Sequence, residues 1–178
     1  MNEQTYKWHA VINGAPTELQ VPPARRLLDI LRMDLNMTGT KISCEVGRCG
    51  ACMVLLDGQP ANACLLMAYQ CEGCQITTIE GLGPEDEQLR DQDDRLGNLH
   101  PIQKAFVEEG GFQCGYCTPG MIISTKALLD HNPAPSQEEI ETALCGNLCR
   151  CTGYGGIVRS VQKAAELCSR RAASSLES

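Results

Sequence analysis

The segment Cys44-Glu45-Val46-Gly47-Arg48-Cys49-Gly50-Ala51-Cys52 constrains this chain more than any other, because it places three thiols on a loop too short for regular structure. Cys-x4-Cys-x2-Cys followed by a more distant cysteine, here Cys64, is the plant-type spacing by which four thiolates hold one [2Fe-2S] cluster. Turning three sulfurs inward requires a backbone free of bulk, and Gly47, Gly50 and Ala51 supply the small residues. Cys64 lies beyond the apolar run Met53-Val54-Leu55-Leu56 and the Asp57-Gly58 turn, so a hairpin can return it to the loop. A fold that carries this segment must hold a rigid loop beside a short antiparallel pair.

With 12 cysteines in 178 residues, either disulfides or metals must be considered. Met1 to Tyr6 is polar and leads into no apolar core of about 7–15 residues with a cleavage site, so no standard secretory signal is read. Closely spaced thiols in a reducing compartment point to metal, and the expected location is cytoplasmic. No apolar run reaches the roughly 18 residues of a spanning helix, so membrane insertion is not expected. A formal charge of −7 without a clustered Lys/Arg stripe argues against nucleic acid or an anionic membrane surface as partner. Neither half contains a GxGxxG turn or a P-loop, so no dinucleotide or nucleoside triphosphate is expected on this chain.

Along the chain, Tyr6, Trp8, Ala10 and Ile12 alternate with polar neighbours, Asn13-Gly14 is a two-residue hairpin signal, and Thr17, Leu19 and Val21 alternate again. Leu27, Leu28, Ile30, Leu31 and Leu35 then fall on one helical stripe, with Gly39 as a breaker before the cysteine loop. Short strands are expected at Met53 to Leu56, Ala61 to Leu65 and Gln75 to Ile79, an α+β order. The acidic runs Pro84-Glu85-Asp86-Glu87 and Asp91-Gln92-Asp93-Asp94 read as a solvated linker.

Beyond the linker the period becomes helical. One helix begins at Ile102 and stops at Gly110-Gly111. A second takes Thr118 as N-cap and Pro119 as its first residue. A third starts at the capping box Ser136-Gln137-Glu138-Glu139, and a fourth runs from about Ile157 through Cys168, with a tail expected to fray from Ser169. Four helices in succession suggest a small bundle.

This second half carries Cys114-Gly115-Tyr116-Cys117 at the start of one helix and Cys149-Arg150-Cys151 in the connection after the next. Helix termini and connections leave backbone N–H groups free to bond cluster sulfurs. On spacing alone, Cys-x2-Cys with Cys-x-Cys is open among zinc, [2Fe-2S] and a redox dithiol.

Three longer stretches narrow that choice: Gln113-Cys114-Gly115-Tyr116-Cys117-Thr118-Pro119-Gly120-Met121, Gly146-Asn147-Leu148-Cys149-Arg150-Cys151-Thr152-Gly153-Tyr154, and Thr38-Gly39-Thr40-Lys41 before the first loop. Together, in this order, they resemble the iron–sulfur subunit of the molybdenum hydroxylases, the xanthine oxidase family, over roughly Ala10 to Ala165. The resemblance implies an α+β chain: an N-terminal β-grasp ferredoxin-like domain over residues 1–82, an acidic linker over 83–99, and a C-terminal four-helix-bundle [2Fe-2S] domain over 100–178. It implies one [2Fe-2S] cluster on Cys44, Cys49, Cys52 and Cys64, and another on Cys114, Cys117, Cys149 and Cys151. Gln113 and Cys151 would approach the pterin of a molybdopterin-type cofactor bound by a separate large subunit, and a third, medium subunit would bind FAD. No catalytic residue is assigned to this chain, which would serve an oxidoreductase complex as an electron-transfer subunit without binding substrate. The stretches Cys44 to Cys52, Glu108 to Phe112 and Tyr154 to Ile157 look closest to bacterial xanthine dehydrogenase small subunits, so xanthine or another purine is the expected substrate of the complex. The same role in an aldehyde, CO or other N-heterocycle dehydrogenase is the alternative within the family. A zinc-stabilised adaptor and a free-standing ferredoxin are the alternatives outside it.

Four cysteines are left over. Cys71 and Cys74 read as surface thiols in a turn, since two ligands do not close a tetrahedral site; Cys145 reads as packed and Cys168 as a buried small hydrophobe. His9, His100 and His131 read as exposed structural residues. Arg48 and Arg150 adjoin cluster cysteines, where they would either raise a cluster potential or pair with carboxylates at an interface. Tyr116 and Tyr154 read as packing over the second site.

Overall fold

Two tight turns set the register of the sheet. Asn13 and Gly14, with φ of 52° and 81°, join β1 (Tyr6–Ile12) to β2 (Ala15–Val21). Asp57 and Gly58, with φ of 49° and 80°, join β3 (Met53–Leu56) to β4 (Gln59–Asn62). Positive φ at both central residues is what a type I′ hairpin requires, and the closing pairs are Ile12 with Ala15 and Leu56 with Gln59. The computed structural model describes residues 4–83 and 99–175. β5 (Gln75–Thr77) fills the centre, parallel to β1 and antiparallel to β3, giving the order β2-β1-β5-β3-β4. The expected strand from Ala61 to Leu65 thus forms earlier and shorter as β4, because the Asp57-Gly58 turn pairs residue 59 directly. The strand expected to reach Ile79 stops at Thr77, and Ile79–Gly81 forms a 3-10 turn.

The apolar stripe after the first hairpin is not one regular helix. α1 (Leu27–Asp29) widens at once into a π turn over Ile30–Asp34. The Leu35 N–H bonds the Ile30 carbonyl at 3.0 Å, and Asn36, at φ 60°, then reverses the chain toward the cysteine loop. The Arg32 guanidinium satisfies the Thr38 and Thr40 carbonyls at 2.8 Å each, holding this reversal. Leu27, Leu28, Ile30 and Leu31 are fully buried against Trp8, Ile12, Val54 and Ile76. The indole N–H of Trp8 donates to the Ala68 carbonyl at 2.9 Å, so this large side chain leaves no buried polar group unsatisfied.

The helical half comprises α2 (Pro101–Glu108), α3 (Thr118–His131), α4 (Gln137–Leu144) and α5 (Gly155–Ser175). α2 begins just before the expected Ile102, because His100 caps it: Nδ1 accepts the Ile102 N–H at 3.2 Å. The Ser136 box at α4 forms as read, with Ser136 Oγ accepting the Glu139 N–H at 3.3 Å and the Glu139 carboxylate accepting the Ser136 N–H at 2.7 Å. At α3 the cap position is Cys117, not Thr118. Cys117 already has helical φ and ψ, so Thr118 is drawn into the first turn, where its buried Oγ1 meets no partner. α5 continues through Ser175 instead of fraying from Ser169. The acidic linker read over 83–99 lies almost wholly outside the described residues.

Alternation along β3 ties the two halves together. Val54 points into the first core, and Leu55 joins Ile102, Phe106, Met121, Ile123, Ile140, Ile157 and Val161 in the second. α3 therefore lies on the second face of the sheet, against β3 and β4, and β3 is the wall between the two cores.

Candidate metal centres

The loop at 44–52 turns on Glu45, Gly47 and Gly50, whose φ values are 55°, 71° and 67°. Within it, Cys44 Sγ accepts N–H groups from Val46 at 3.5 Å and Arg48 at 3.3 Å. These two donors hold the Cys44 thiol down at about 6. The Ala63 N–H bonds the Cys52 carbonyl at 3.2 Å, which sets Cys64 beside Cys52. Asn62 clips the loop by donating to the Gly47 carbonyl at 3.4 Å and accepting from the Cys52 thiol at 3.7 Å. Both Cys52 and Cys64 are buried, and burial pushes the Cys52 thiol up to about 12. The four thiols fall into two pairs, Cys44 with Cys49 and Cys52 with Cys64.

The second set assembles from two connections. Cys114 and Cys117 flank Gly115, at φ 79°, between α2 and α3, and Cys149 and Cys151 lie between α4 and α5. Again there are two pairs: the Cys151 thiol meets Cys114 Sγ at 3.6 Å, and Cys117 meets Cys149. Burial pushes the Cys117 thiol up to about 12. Burial also opposes ionisation of Cys149, but bonds from Thr152 outweigh it and its thiol is lowered. Thr152 gives its hydroxyl to Cys149 Sγ at 3.1 Å and its N–H at 3.5 Å. Tyr154 completes this corner: its phenolic oxygen accepts the Cys149 N–H at 2.8 Å and donates to the Asn147 carbonyl at 3.2 Å. Its backbone is left-handed at φ 67°, a strain of roughly 1–3 kcal/mol for a bulky residue, which these bonds offset.

The pairing matches one kind of centre. Zinc needs four ligands converging on one centre, whereas a two-iron cluster takes two thiolates at each end. Burial that pushes the Cys52 and Cys117 thiols up to about 12 would be opposed by the charge of a bound cation, as a metal site requires. Both sets fit a [2Fe-2S] cluster.

The two sets face one cavity of about 420 Å³, walled by Cys44 and Cys49 on one side and by Cys114, Cys117, Cys149 and Cys151 on the other. Hydrogen bonds cross between them. The Leu148 N–H donates to the Cys49 carbonyl at 2.9 Å, Asn147 Nδ2 to the Gly50 carbonyl at 3.4 Å, and the Tyr116 hydroxyl to the Ile42 carbonyl. Asn147 is itself held by the Ser124 hydroxyl at 2.9 Å. A Cβ on Gly50 would lie 2.7 Å from the Gly146 carbonyl oxygen, and one on Gly120 would strike the Gly50 carbonyl. Gly120, Asn147 and Thr152 lie inside the motif stretches, yet residue type alone assigns none of them a part. A glycine in the first turn of α3, where helix formers are favoured, is the available signal for Gly120.

The remaining residues divide clearly. Gln113, Cys114 and Cys151 are exposed together. Cys71, read as a surface thiol, is instead fully buried in the first core and pushed up to about 11 by burial, while Cys74 is half-buried. Cys145, read as packed, is exposed at the end of α4, because that helix turns its Ile140 and Leu144 inward. Cys168 is half-buried against the second core. His9 is exposed and paired with Glu72, His100 caps α2, and exposed His131 ends α3. Arg48 and Arg150 are exposed. Tyr116 and Tyr154 do more than pack: each fixes a loop through its hydroxyl. A groove of about 600 Å³ between α4 and α5 backs onto Tyr154 but brings only Cys145 among the thiols.

Comparison with known proteins agrees with this arrangement. The 2Fe-2S iron-sulfur cluster binding domain family matches residues 10–77, and the [2Fe-2S] binding domain family matches residues 78–162. The chain is 54% identical over 154 residues to a probable xanthine dehydrogenase subunit of Bacillus subtilis (strain 168), covering 86% of this chain and 82% of that one. Quinoline 2-oxidoreductase from Pseudomonas putida 86 superposes with a TM-score of 0.83 at 41% identity, over 94% of this chain and 98% of that chain. Aldehyde oxidoreductase from Desulfovibrio gigas also reaches 0.83, at 42% identity, where 93% of this chain corresponds to 17% of a longer one. On its two cluster-binding halves, its paired thiols and these relatives, the chain belongs to the iron–sulfur subunits of the molybdenum hydroxylases, a part of an oxidoreductase complex.

Proposed function

We propose that this chain passes electrons singly from the molybdenum centre of a large partner subunit toward FAD on a medium subunit, in a complex that hydroxylates xanthine or another purine. Cys44, Cys49, Cys52 and Cys64 hold one cluster, and Cys114, Cys117, Cys149 and Cys151 hold the other. The domains that carry them extend over residues 1–82 and 100–178, with 83–99 as linker. The bond from the Leu148 N–H to the Cys49 carbonyl carries this reading, since it joins the residue preceding Cys149 to a ligand of the first site. When bound, the clusters supply one-electron chemistry, while the protein sets their spacing and potential. Exposed Gln113 and Cys151 form the end that docks at the pterin, and the loop at 44–52 forms the end nearer flavin. Hydroxylation by water converts R–H and H2O to R–OH, two protons and two electrons, so two transfers follow each turnover.

Similarity to a probable xanthine dehydrogenase subunit supports the purine reading. Relatives named for quinoline and aldehyde make the same subunit role in an N-heterocycle or aldehyde dehydrogenase the second reading. The cytoplasm is the proposed location. Purification of the native complex, identification of its partner chains, and assay of xanthine against quinoline and aldehydes test the proposal. Turnover of xanthine by a brown complex with molybdopterin-bearing and FAD-bearing partners is expected. A colourless, zinc-containing assembly overturns it. Gln113→Ala is expected to slow reduction of the clusters by substrate in the assembled enzyme, and unchanged reduction and assembly remove the proposed contact.

A further inference from the structure

Cys149 is treated differently from the cysteines around it. Its own N–H is taken up by the Tyr154 phenol at 2.8 Å, and that phenol is anchored in turn on the Asn147 carbonyl. Donation to its sulfur falls to Thr152, whose hydroxyl lies at 3.1 Å and whose N–H lies at 3.5 Å. The hydroxyl is not free to rotate away, because Thr152 Oγ1 accepts the Tyr154 N–H at 3.2 Å. With a lone pair committed to that amide, the hydroxyl proton is left to point at Cys149 Sγ. The left-handed backbone of Tyr154, at φ 67°, brings its amide and its phenol to bear on the same corner. At the first site the N–H donors to Cys44 Sγ are the backbone groups of Val46 and Arg48. An O–H donor on a ligand sulfur distinguishes the helical site.

We infer that the Thr152 hydroxyl, locked by the Tyr154 amide onto Cys149 Sγ, sets the reduction potential of the helical-domain cluster and holds it above that of the same site without the donor. The inference rests on the reading of Cys149 as a ligand of that cluster. Reduction adds one electron and one negative charge to the cluster and its thiolates, and a donor to a ligand sulfur stabilises the more negative state. Removing the donor therefore lowers the potential. Thr152 is a positioning and tuning residue here; it touches no substrate.

The test is a redox titration of the whole complex, followed by the two electron paramagnetic resonance signals of its reduced clusters. Thr152→Val is expected to raise the oxidised-to-reduced ratio of one signal about tenfold at fixed ambient potential, which is about 59 mV downward for a one-electron couple. The other signal should titrate unchanged, and Thr152→Ser should restore the wild-type value. Equal midpoints for Thr152→Val and wild type overturn the inference, as does an equal shift of both signals. Should Thr152→Val fail to assemble, the wild-type complex decides: resonance Raman bands of Fe–S(Cys) stretching must move on exchange into D2O, move less in Thr152→Ala, and recover in Thr152→Ser. No deuterium shift in wild type overturns it. Cys149→Ser separates this from the underlying assignment: if both signals survive that change, the ligand reading itself fails, whatever Thr152 does.

Discussion

The two cysteine sets offer the same chemistry but are built over different distances in the chain. Three thiols of the first set lie within nine consecutive residues, and their loop shapes itself through left-handed backbone at Glu45, Gly47 and Gly50 and through N–H donors from Val46 and Arg48. The second set joins two connections that only the packing of α2, α3, α4 and α5 brings together, and its sulfur donors include a side chain, Thr152. A site written into one loop depends chiefly on local backbone geometry. A site assembled from two connections depends on the core beneath it.

The largest expected effect is all-or-none. Cys49→Ser should abolish one paramagnetic signal and Cys149→Ser the other, each leaving its counterpart; loss of both signals in a folded Cys49→Ser protein would end the claim that the sites are independent. Next comes order of loss. Cys114 and Cys151 are exposed whereas Cys52 and Cys64 are buried, so a chelator added to the reduced chain should bleach the helical-domain signal first. Loss of the first-site signal ahead of it would reverse the comparison. Gly120→Val should destabilise by about 1–3 kcal/mol, because its side chain meets the Gly50 carbonyl, and calorimetry should show the loss. An unchanged melting temperature would mean that the two halves are not in contact there. Smallest is Ser136→Ala, expected to cost about 1 kcal/mol through the α4 cap while leaving both signals intact. A shift in either signal would tie that cap to the second site.

The same contrast explains what could be read from the chain without coordinates. The turns at Asn13-Gly14 and Asp57-Gly58 and the Ser136 box are short-range features that form as read, and the loop at 44–52 turns on two of the small residues noted in it, Gly47 and Gly50. The resemblance of the motif stretches supplied the second site, whose Cys-x2-Cys and Cys-x-Cys spacing had stayed open to zinc. What stayed hidden was non-local. Nothing near Ile30 announces the π turn, which answers to the reversal at Asn36 and the Arg32 clamp. Thr118 looks like a cap by residue type, but Cys117 is already helical. The places of Cys71 and Cys145 depend on which way a turn and a helix face once the cores close. Gly120 and Asn147 gain their meaning only from Gly50, far away in sequence.

That contact between glycines reaches beyond packing. Electron tunnelling through protein decays exponentially with distance, so any element that separates two redox centres by adjustable side chains makes the rate hostage to their rotamers. Here Gly120 rests on the Gly50 carbonyl and the Leu148 amide holds the Cys49 carbonyl, leaving backbone against backbone at the join. Two missing side chains thus let the halves close to backbone distance beside the route that electrons would take.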